Sequence, residues 1–328
     1  MEVITGATGH IGNVIVRELL ARGRTTKALM RKTSNNAVLK GLEVEKAIGD
    51  ILDIDSLIKA FRHTDVVFHS AAIISIMPGR NKFIYETNVT GTQNVIKACI
   101  KCGVKRLVYL SSIHAIKEPP CGVIIDESLP LGIDNPMSEY ARSKAKASLE
   151  VLKSTGNGLD AVIVYPTGVI GPYDYKISSL SKTFIDFANR KLMFSMDGAY
   201  DFVDVRDVAV GCILACDKGK TGENYILSGE RVTVDELMSM LEGITGVKKP
   251  RFKIPIMLAK TAATFSPIYY KLTRTQPYFT RYSIYTLLSN SLISHKKASN
   301  DLGYFPQDIK KSVADNVEWL REHGVFLK

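Results

Sequence analysis

Along the first two-thirds of the chain, short runs of β-branched and aliphatic residues alternate with longer runs whose apolar positions recur every three or four residues. The short runs Glu2–Thr5, Thr26–Met30, Glu43–Ala47, Asp65–His69, Arg106–Leu110 and Asp160–Val164 predict strands. The amphipathic runs Gly12–Arg22, Ile54–Phe61, Thr87–Cys102 and Glu139–Ser154 predict helices between them. Strands that are apolar nearly throughout are buried on both faces, and strand–helix alternation makes neighbouring strands parallel. The expected fold class is therefore α/β, a doubly wound parallel sheet. After Pro166 the pattern loosens, and stretches rich in Tyr, Phe, Pro and Ser fill 172–200 and 250–290. These predict a smaller, mostly C-terminal lobe. The large domain would then comprise 1–165 and 201–228, and the lobe 166–200 and 229–328.

Composition narrows the partners. With 45% apolar and 23% charged residues in 328, the chain can bury a core that needs no disulfide or metal. The first strand begins at Met1, so no leader is expected. The five cysteines, Cys99, Cys102, Cys121, Cys212 and Cys216, are read as free thiols in a reducing, cytoplasmic compartment. Cys99 and Cys102 have metal or redox spacing, but they lie in an apolar helical run with no second pair, so a structural role and no metal are expected. The formal charge is +10, with Lys and Arg scattered rather than clustered with aromatics. That argues against a nucleic-acid partner. No run reaches the about 18 uninterrupted apolar residues of a membrane span. The best, 254–270, is interrupted by Pro255, Lys260 and Pro267. The same stretch, continued to Lys271, is basic and amphipathic. The favoured reading is a lid over a pocket, and the alternative is a surface that lies on an anionic membrane.

The clearest chemistry follows the first strand, where Thr5-Gly6-Ala7-Thr8-Gly9-His10-Ile11-Gly12 turns from strand into helix. Glycines let backbone approach a pyrophosphate closely, and the helix N-terminus offers unpaired N–H groups and a partial positive charge. A dinucleotide is the expected ligand. An NAD ribose ordinarily calls for an acid about 20 residues on. None occurs between Arg22 and Leu42, and Arg31 and Lys32 stand at the end of the second strand instead. Arginine grips a phosphate with parallel hydrogen bonds, so NADP(H) is expected in preference to NAD(H). Asp50 and Ile51, after the third strand, would accept from the adenine amino group and cover its ring.

Tyr140 and Lys144 are one helical turn apart on one face. A phenol is a poor base at neutral pH, but a nearby cation lowers its pKa. Tyr140 can then exchange a proton with a carbonyl or alcohol oxygen as hydride moves. Ser111 and Ser112 end the fifth strand, at the carboxyl edge where such sheets bind ligands. Ser112 is placed to donate to the same oxygen, and Ser111 to form a cap or turn. Asn88 either supports the proton path, by holding a water or a carbonyl, or caps a helix. His114 is read first as structural, with substrate contact as the alternative. Ile73, Ile74, Ile76, Met77, Phe83, Tyr173, Tyr175, Phe184 and Phe187 are candidates for an apolar pocket lining, about half of them expected to be core.

Taken together, the chain resembles the extended short-chain dehydrogenase/reductase superfamily. The resemblance rests on TGATGHIG (5–12), GDILD (49–53), HSAA (69–72), NVTGT (88–92), YLSS (109–112), DES (126–128), YARSK (140–144), YPTGVIGP (165–172) and DFVDVRDVA (201–209). It is most similar in flavour to dihydroflavonol reductases and 3β-hydroxysteroid dehydrogenases. The resemblance implies a Rossmann sheet and a catalytic set of Ser112, Tyr140 and Lys144, with Asn88 supporting the relay. It also implies Lys144 on the nicotinamide ribose, Ser70, Ala71, Ala72, Pro166, Thr167 and Val169 beside the cofactor, and a homodimer. Tyr165 departs from the arginine that many relatives carry before the proline, which weakens a sugar-nucleotide reading. The expected function is NADPH-dependent reduction of a ketone or aldehyde on a fairly apolar small-molecule substrate. One alternative is a nucleotide-sugar epimerase or dehydratase, which needs a phosphate-gripping cluster such as Arg251, Lys253, Arg274 and Arg281. The other is a catalytically silent dinucleotide sensor.

Overall fold

The computed structural model describes residues 1–77, 79–273 and 280–326. Its strands are β1 (Glu2–Thr5), β2 (Thr26–Met30), β3 (Glu45–Ile48), β4 (Val66–His69), β5 (Arg106–Leu110) and β6 (Ala161–Pro166). They continue with β7 (Gly168–Ile170), β8 (Phe194–Ser195), β9 (Ala199–Asp204), β10 (Asn224–Leu227), β11 (Glu230–Thr233) and β12 (Phe252–Lys253). The helices of the first half are α1 (His10–Ala21), α2 (Ile54–Ala60), α3 (Lys82–Tyr85), α4 (Gly91–Cys102) and α5 (Glu139–Thr155). Those of the second are α6 (Ser179–Ala188), α7 (Val205–Lys218), α8 (Val234–Thr245), α9 (Ile256–Thr273), α10 (Arg281–Leu288), α11 (Lys296–Leu302) and α12 (Ile309–Glu322).

Among the described residues, β10, β6, β5, β4, β1, β2 and β3 lie in that order in a seven-stranded sheet whose ladders are all parallel. Successive residues of each strand point to opposite faces. Ile4, Phe68, Val108 and Val162 meet α1 and α7, whereas Val3, Val67, Leu107 and Ile163 meet α2, α4 and α5. The strand order reverses between β1 and β4, and this is the crevice where open sheets bind ligands. The doubly wound sheet is as expected. β3 starts two residues later than the apolar run, because the Val44 amide turns back to the Leu42 carbonyl at 2.9 Å. The run Thr87–Cys102 is not one uniform helix. A wide π turn over Glu86–Thr90 precedes α4.

A second sheet, β11-β9-β7, pairs β7 with β9 in parallel and β11 with β9 antiparallel. It covers a separate core in which Phe184, Phe187, Leu237, Leu241, Val313 and Trp319 join α6, α8 and α12. The chain then returns: Ala298, Leu302 and Tyr304, from α11 and just beyond it, pack into the core of the large sheet. Cys99, Cys212 and Cys216 are buried free thiols, and the Cys102 Sγ lies 3.5 Å from the Ile58 carbonyl. No described helix is long and apolar enough to cross a membrane.

Candidate active site

The chain leaves β1 at Gly6 with φ +69°, and a Cβ there would stand 2.7 Å from the Ala71 amide nitrogen. Gly9 begins α1 with no side-chain cap, and its amide donates to the Gly6 carbonyl at 2.8 Å. A Cβ on Gly12 would lie 2.6 Å from the Ser70 Oγ, so helix, loop and β4 close on one another. The Ser70 hydroxyl donates to the Thr5 carbonyl at 2.6 Å and the Ala71 amide to the Thr5 Oγ1 at 3.3 Å, which ties the ends of β1 and β4 together.

Above these ends lies a cleft of about 180 Å³, bordered by Thr5, Gly6, Thr8, Gly9, Arg31, Asp50, Ile51, Ser70, Ala71 and Ala72. Nine of these are among the residues expected on the cofactor, out of nineteen described residues that border the cleft. His10, Ile11 and Gly12 stand behind the wall. His10 Nε2 pairs with the Pro172 carbonyl at 2.8 Å, and Ile11 packs on the core. Lys32 is exposed and does not border the cleft, whereas Arg31 does, with its amide donating to the Ser34 Oγ at 3.2 Å. Ser34 and Lys176 also border it. Sequence reasoning missed both, because a lone serine and a lone lysine in a tyrosine-rich loop carry no local signal. A glycine cradle, unpaired helix amides and a basic edge fit a dinucleotide.

Ser138 caps α5 by accepting from the Ala141 amide at 3.3 Å, and the buried face of the helix turns Tyr140 and Lys144 toward the end of β5. Ser112 accepts from the His114 amide at 3.3 Å, which opens the turn Ile113–Ala115. Burial pushes the Tyr140 phenol above its ordinary pKa, and a hydrogen bond with Ser112 opposes the push. Lys144 turns its Nζ to the Leu110 carbonyl and over the Tyr109 ring at 4.4 Å. Burial holds its pKa down to about 7. The expected lowering of Tyr140 by Lys144 is therefore corrected. Withdrawal of water dominates both groups, and the ammonium is engaged by a neutral carbonyl and a ring rather than by the phenol.

Asn88 sits inside the π turn and is no helix cap. Its Oδ1 accepts from the Ile73 amide at 2.8 Å, and its Nδ2 donates to the Ile73 carbonyl at 3.0 Å and to the Ser143 Oγ at 2.9 Å. It thus clamps the segment after β4 to α5, next to Lys144. Ser111 pairs with Ser148 at 2.7 Å and braces α5 against β5. His69, missed in the sequence, joins these parts: its Nδ1 lies 2.7 Å from the Thr5 Oγ1 and its Nε2 3.0 Å from the Thr92 Oγ1. The Thr92 hydroxyl donates to the Asn88 carbonyl at 2.7 Å, so the ring proton belongs on Nε2 and Thr5 donates to Nδ1. Burial takes the pKa of His69 down to about 3.

Beyond Tyr140 lies an aromatic wall. His114 Nε2 meets the Tyr200 hydroxyl at 2.9 Å, with ring centroids 5.9 Å apart, and Tyr282 lies 5.8 Å from the same imidazole. Burial lowers the pKa of His114 to about 4 and raises those of Tyr200 and Tyr282, both of which sense Tyr140. A Cβ on Gly168 would touch the Tyr200 and Phe202 rings at 2.8 Å, which lays the Pro166, Thr167 and Val169 segment against this wall. Several expected lining residues are elsewhere. Phe184 and Phe187 fill the core of the lobe, and Tyr173 and Tyr175 pack on Trp319 at 6.5 and 5.1 Å. Ile73 and Phe83 border the cofactor cleft, Ile74 is exposed, and the Ile76 carbonyl accepts from Thr280 Oγ1 at 2.9 Å. Of the basic candidates, Lys253 pairs with Asp197 at 2.7 Å, and Arg251 and Arg281 are exposed. Arg274 and the side chain of Lys271 lie outside the described residues.

The profile of the NAD dependent epimerase/dehydratase family matches residues 3–228. The chain belongs to that family. Sterol demethylase protein B of Methylococcus capsulatus is 36% identical over 326 residues, 99% of either chain. The 3beta-hydroxysteroid-dehydrogenase/decarboxylase isoform 1 of Arabidopsis thaliana is 32% identical over 282 residues, 80% of this chain and 63% of that protein. The crystal structure of gox2253 has a TM-score of 0.88 and 32% identity, covering 100% of this chain and 99% of that one. The chain is thus an NAD(P)-dependent oxidoreductase of CH–OH and C=O groups, built as an extended short-chain dehydrogenase/reductase.

Proposed function

We propose that the protein is an NADP(H)-dependent reductase of a ketone on an apolar, sterol-sized substrate. The observation that supports this most is the buried Ser112–Tyr140 pair beside the wall of His114, Tyr200 and Tyr282, a ring-lined surface suited to an apolar substrate. In this reading the glycine turn and the free amides at the N-terminus of α1 hold the pyrophosphate, Arg31 and Ser34 the 2′-phosphate, and Asp50 and Ile51 the adenine. Lys144 holds the nicotinamide ribose, and Pro166, Thr167 and Val169 border the ring. The bound dinucleotide supplies the hydride. Ser112 and Tyr140 donate hydrogen bonds to the substrate oxygen, and Tyr140 releases its proton as charge builds there, an effect worth about 10²- to 10⁴-fold. Burial keeps Tyr140 protonated at neutral pH, which favours its role as donor in reduction over that of base in oxidation. Asn88 and His69 act by position, fixing Ile73, Ser143 and the glycine loop.

Loss of NADPH absorbance, followed with ketosteroids, flavanonols, aromatic aldehydes and 3-oxo acids, tests the reading. The expected result is net turnover of a polycyclic ketone, faster with NADPH than with NADH. Conversion of a sugar nucleotide without net cofactor consumption, and no turnover of any carbonyl, would overturn it.

A further inference from the structure

Two segments far apart in sequence bring large apolar side chains to one outer face of the lobe. β8 and β12 pair in parallel with Phe194 beside Phe252, and neighbouring strands lie only about 4.8 Å apart. Phe194 is 50% exposed, Phe252 70%, Met193 70%, and Met257 and Leu258 at the start of α9 76% and 62%. The cause is the narrow inner stripe of α9. Ala259 and Ala263 pack on Met196 and Ile284, which leaves Met257, Leu258, Thr261 and Ala262 facing outward. Five large apolar side chains this open on adjoining segments exceed the scattered exposure normal for a soluble surface and mark a contact face.

The charges around the patch say what covers it. Arg190, Lys191, Lys248, Arg251 and Lys260 stand beside these apolar residues in sequence, and none has an ion pair among the described residues. Their neighbours Lys249 and Lys253 are neutralised by Asp235 and Asp197. A second copy of the chain docked face to face would set like charges against each other. A bilayer with anionic headgroups takes up the apolar side chains and the cations together.

We propose that this face docks the protein on an anionic phospholipid bilayer. α10 connects it to the candidate site: Ile284 packs with α9, and Tyr282 of the same helix lies against His114. The docked face is therefore one helix from the aromatic wall, a short route for an apolar substrate dissolved in lipid. This use of the face rests on the proposed reaction, whereas the docking rests on the surface alone.

The test is co-flotation of the full chain with vesicles of phosphatidylcholine, with and without phosphatidylglycerol. The protein should float with the anionic vesicles at low salt and not with the neutral ones, and high salt should release it. Phe252→Glu with Met257→Glu, and separately Lys191→Glu with Lys260→Glu, should each reduce the bound fraction about tenfold or more. Reduction of a water-soluble ketone should stay at the wild-type rate in both, which also shows that they fold. Absence of flotation at low salt, or flotation unchanged in both variants, overturns the proposal. So does lipid-free self-association abolished by Phe252→Glu, which would give the face to a second copy. Flotation without turnover of any ketone would count against the reaction and leave the docking in place.

Discussion

The dinucleotide cleft is built from backbone at the ends of β1 and β4, whereas the aromatic wall is built from side chains of β9, α10 and the turn after β5. In the first region a positive φ at Gly6 and close approaches at Gly6 and Gly12 leave no room for side chains. The second depends on His114, Tyr200 and Tyr282 meeting across segments that share no local pattern. A backbone site holds one kind of ligand and tolerates little substitution. A side-chain wall can change its ligand by exchanging one ring, and it carries the electrostatic cost of burying its polar groups.

Four outcomes test this difference between the two regions. Lys144→Met should lower kcat/KM for ketone reduction about a thousandfold, a loss of roughly 4 kcal/mol. It should also remove a pH dependence. Lys144 is held at about 7 against an ordinary 10.5, so between those values the unfolded chain binds more protons and wild-type stability rises with pH. Denaturant melts should show the variant without that rise. Gly6→Ala, forced onto φ +69° and against the Ala71 backbone, should cost about 2–4 kcal/mol of stability and most NADPH affinity. Full NADPH affinity by fluorescence titration would contradict a backbone-made cleft. Arg31→Glu should weaken NADPH by about ten- to a hundredfold while leaving NADH nearly unchanged, because only one of the two carries a phosphate for the guanidinium. Equal losses for both would move the 2′-phosphate elsewhere.

The fourth outcome concerns the buried imidazoles. His69 and His114 are held at about 3 and about 4 against 6.5, so the folded state resists protons that the unfolded chain accepts. Stability should fall as pH drops from 6.5 toward 4, by about 1.4 kcal/mol per pH unit for each group. His114→Gln should lose one proton's worth of that slope. An unchanged slope would mean that the imidazole is already solvated.

This contrast also governs what could be read from the chain alone. The glycine loop, Asp50 and Ile51, Arg31 and Ser112 are legible because each follows directly on a strand, and the Tyr140–Lys144 pair because its spacing sets both residues on one face of a helix. Tyr200 and Tyr282 were missed because one ring among many in a chain says nothing of which rings converge. Phe184, Phe187, Tyr173 and Tyr175 look like pocket lining for the same reason, since an apolar residue does not announce the direction it faces. Asn88 reads equally as a cap and as a holder of a water or carbonyl until the wide turn at 86–90 shows its amide closing on Ile73. The mutual electrostatics of Tyr140 and Lys144 follow from depth of burial, which spacing along a helix does not encode.

In the proposed reaction Tyr140 passes a proton to the substrate oxygen from within a cofactor site it does not build. Ketone reduction and NADPH affinity, measured together for the wild type and Tyr140→Phe, test it most directly. NADPH affinity should stay within about threefold of the wild type while kcat falls about a thousandfold. Retained turnover in the variant would contradict it.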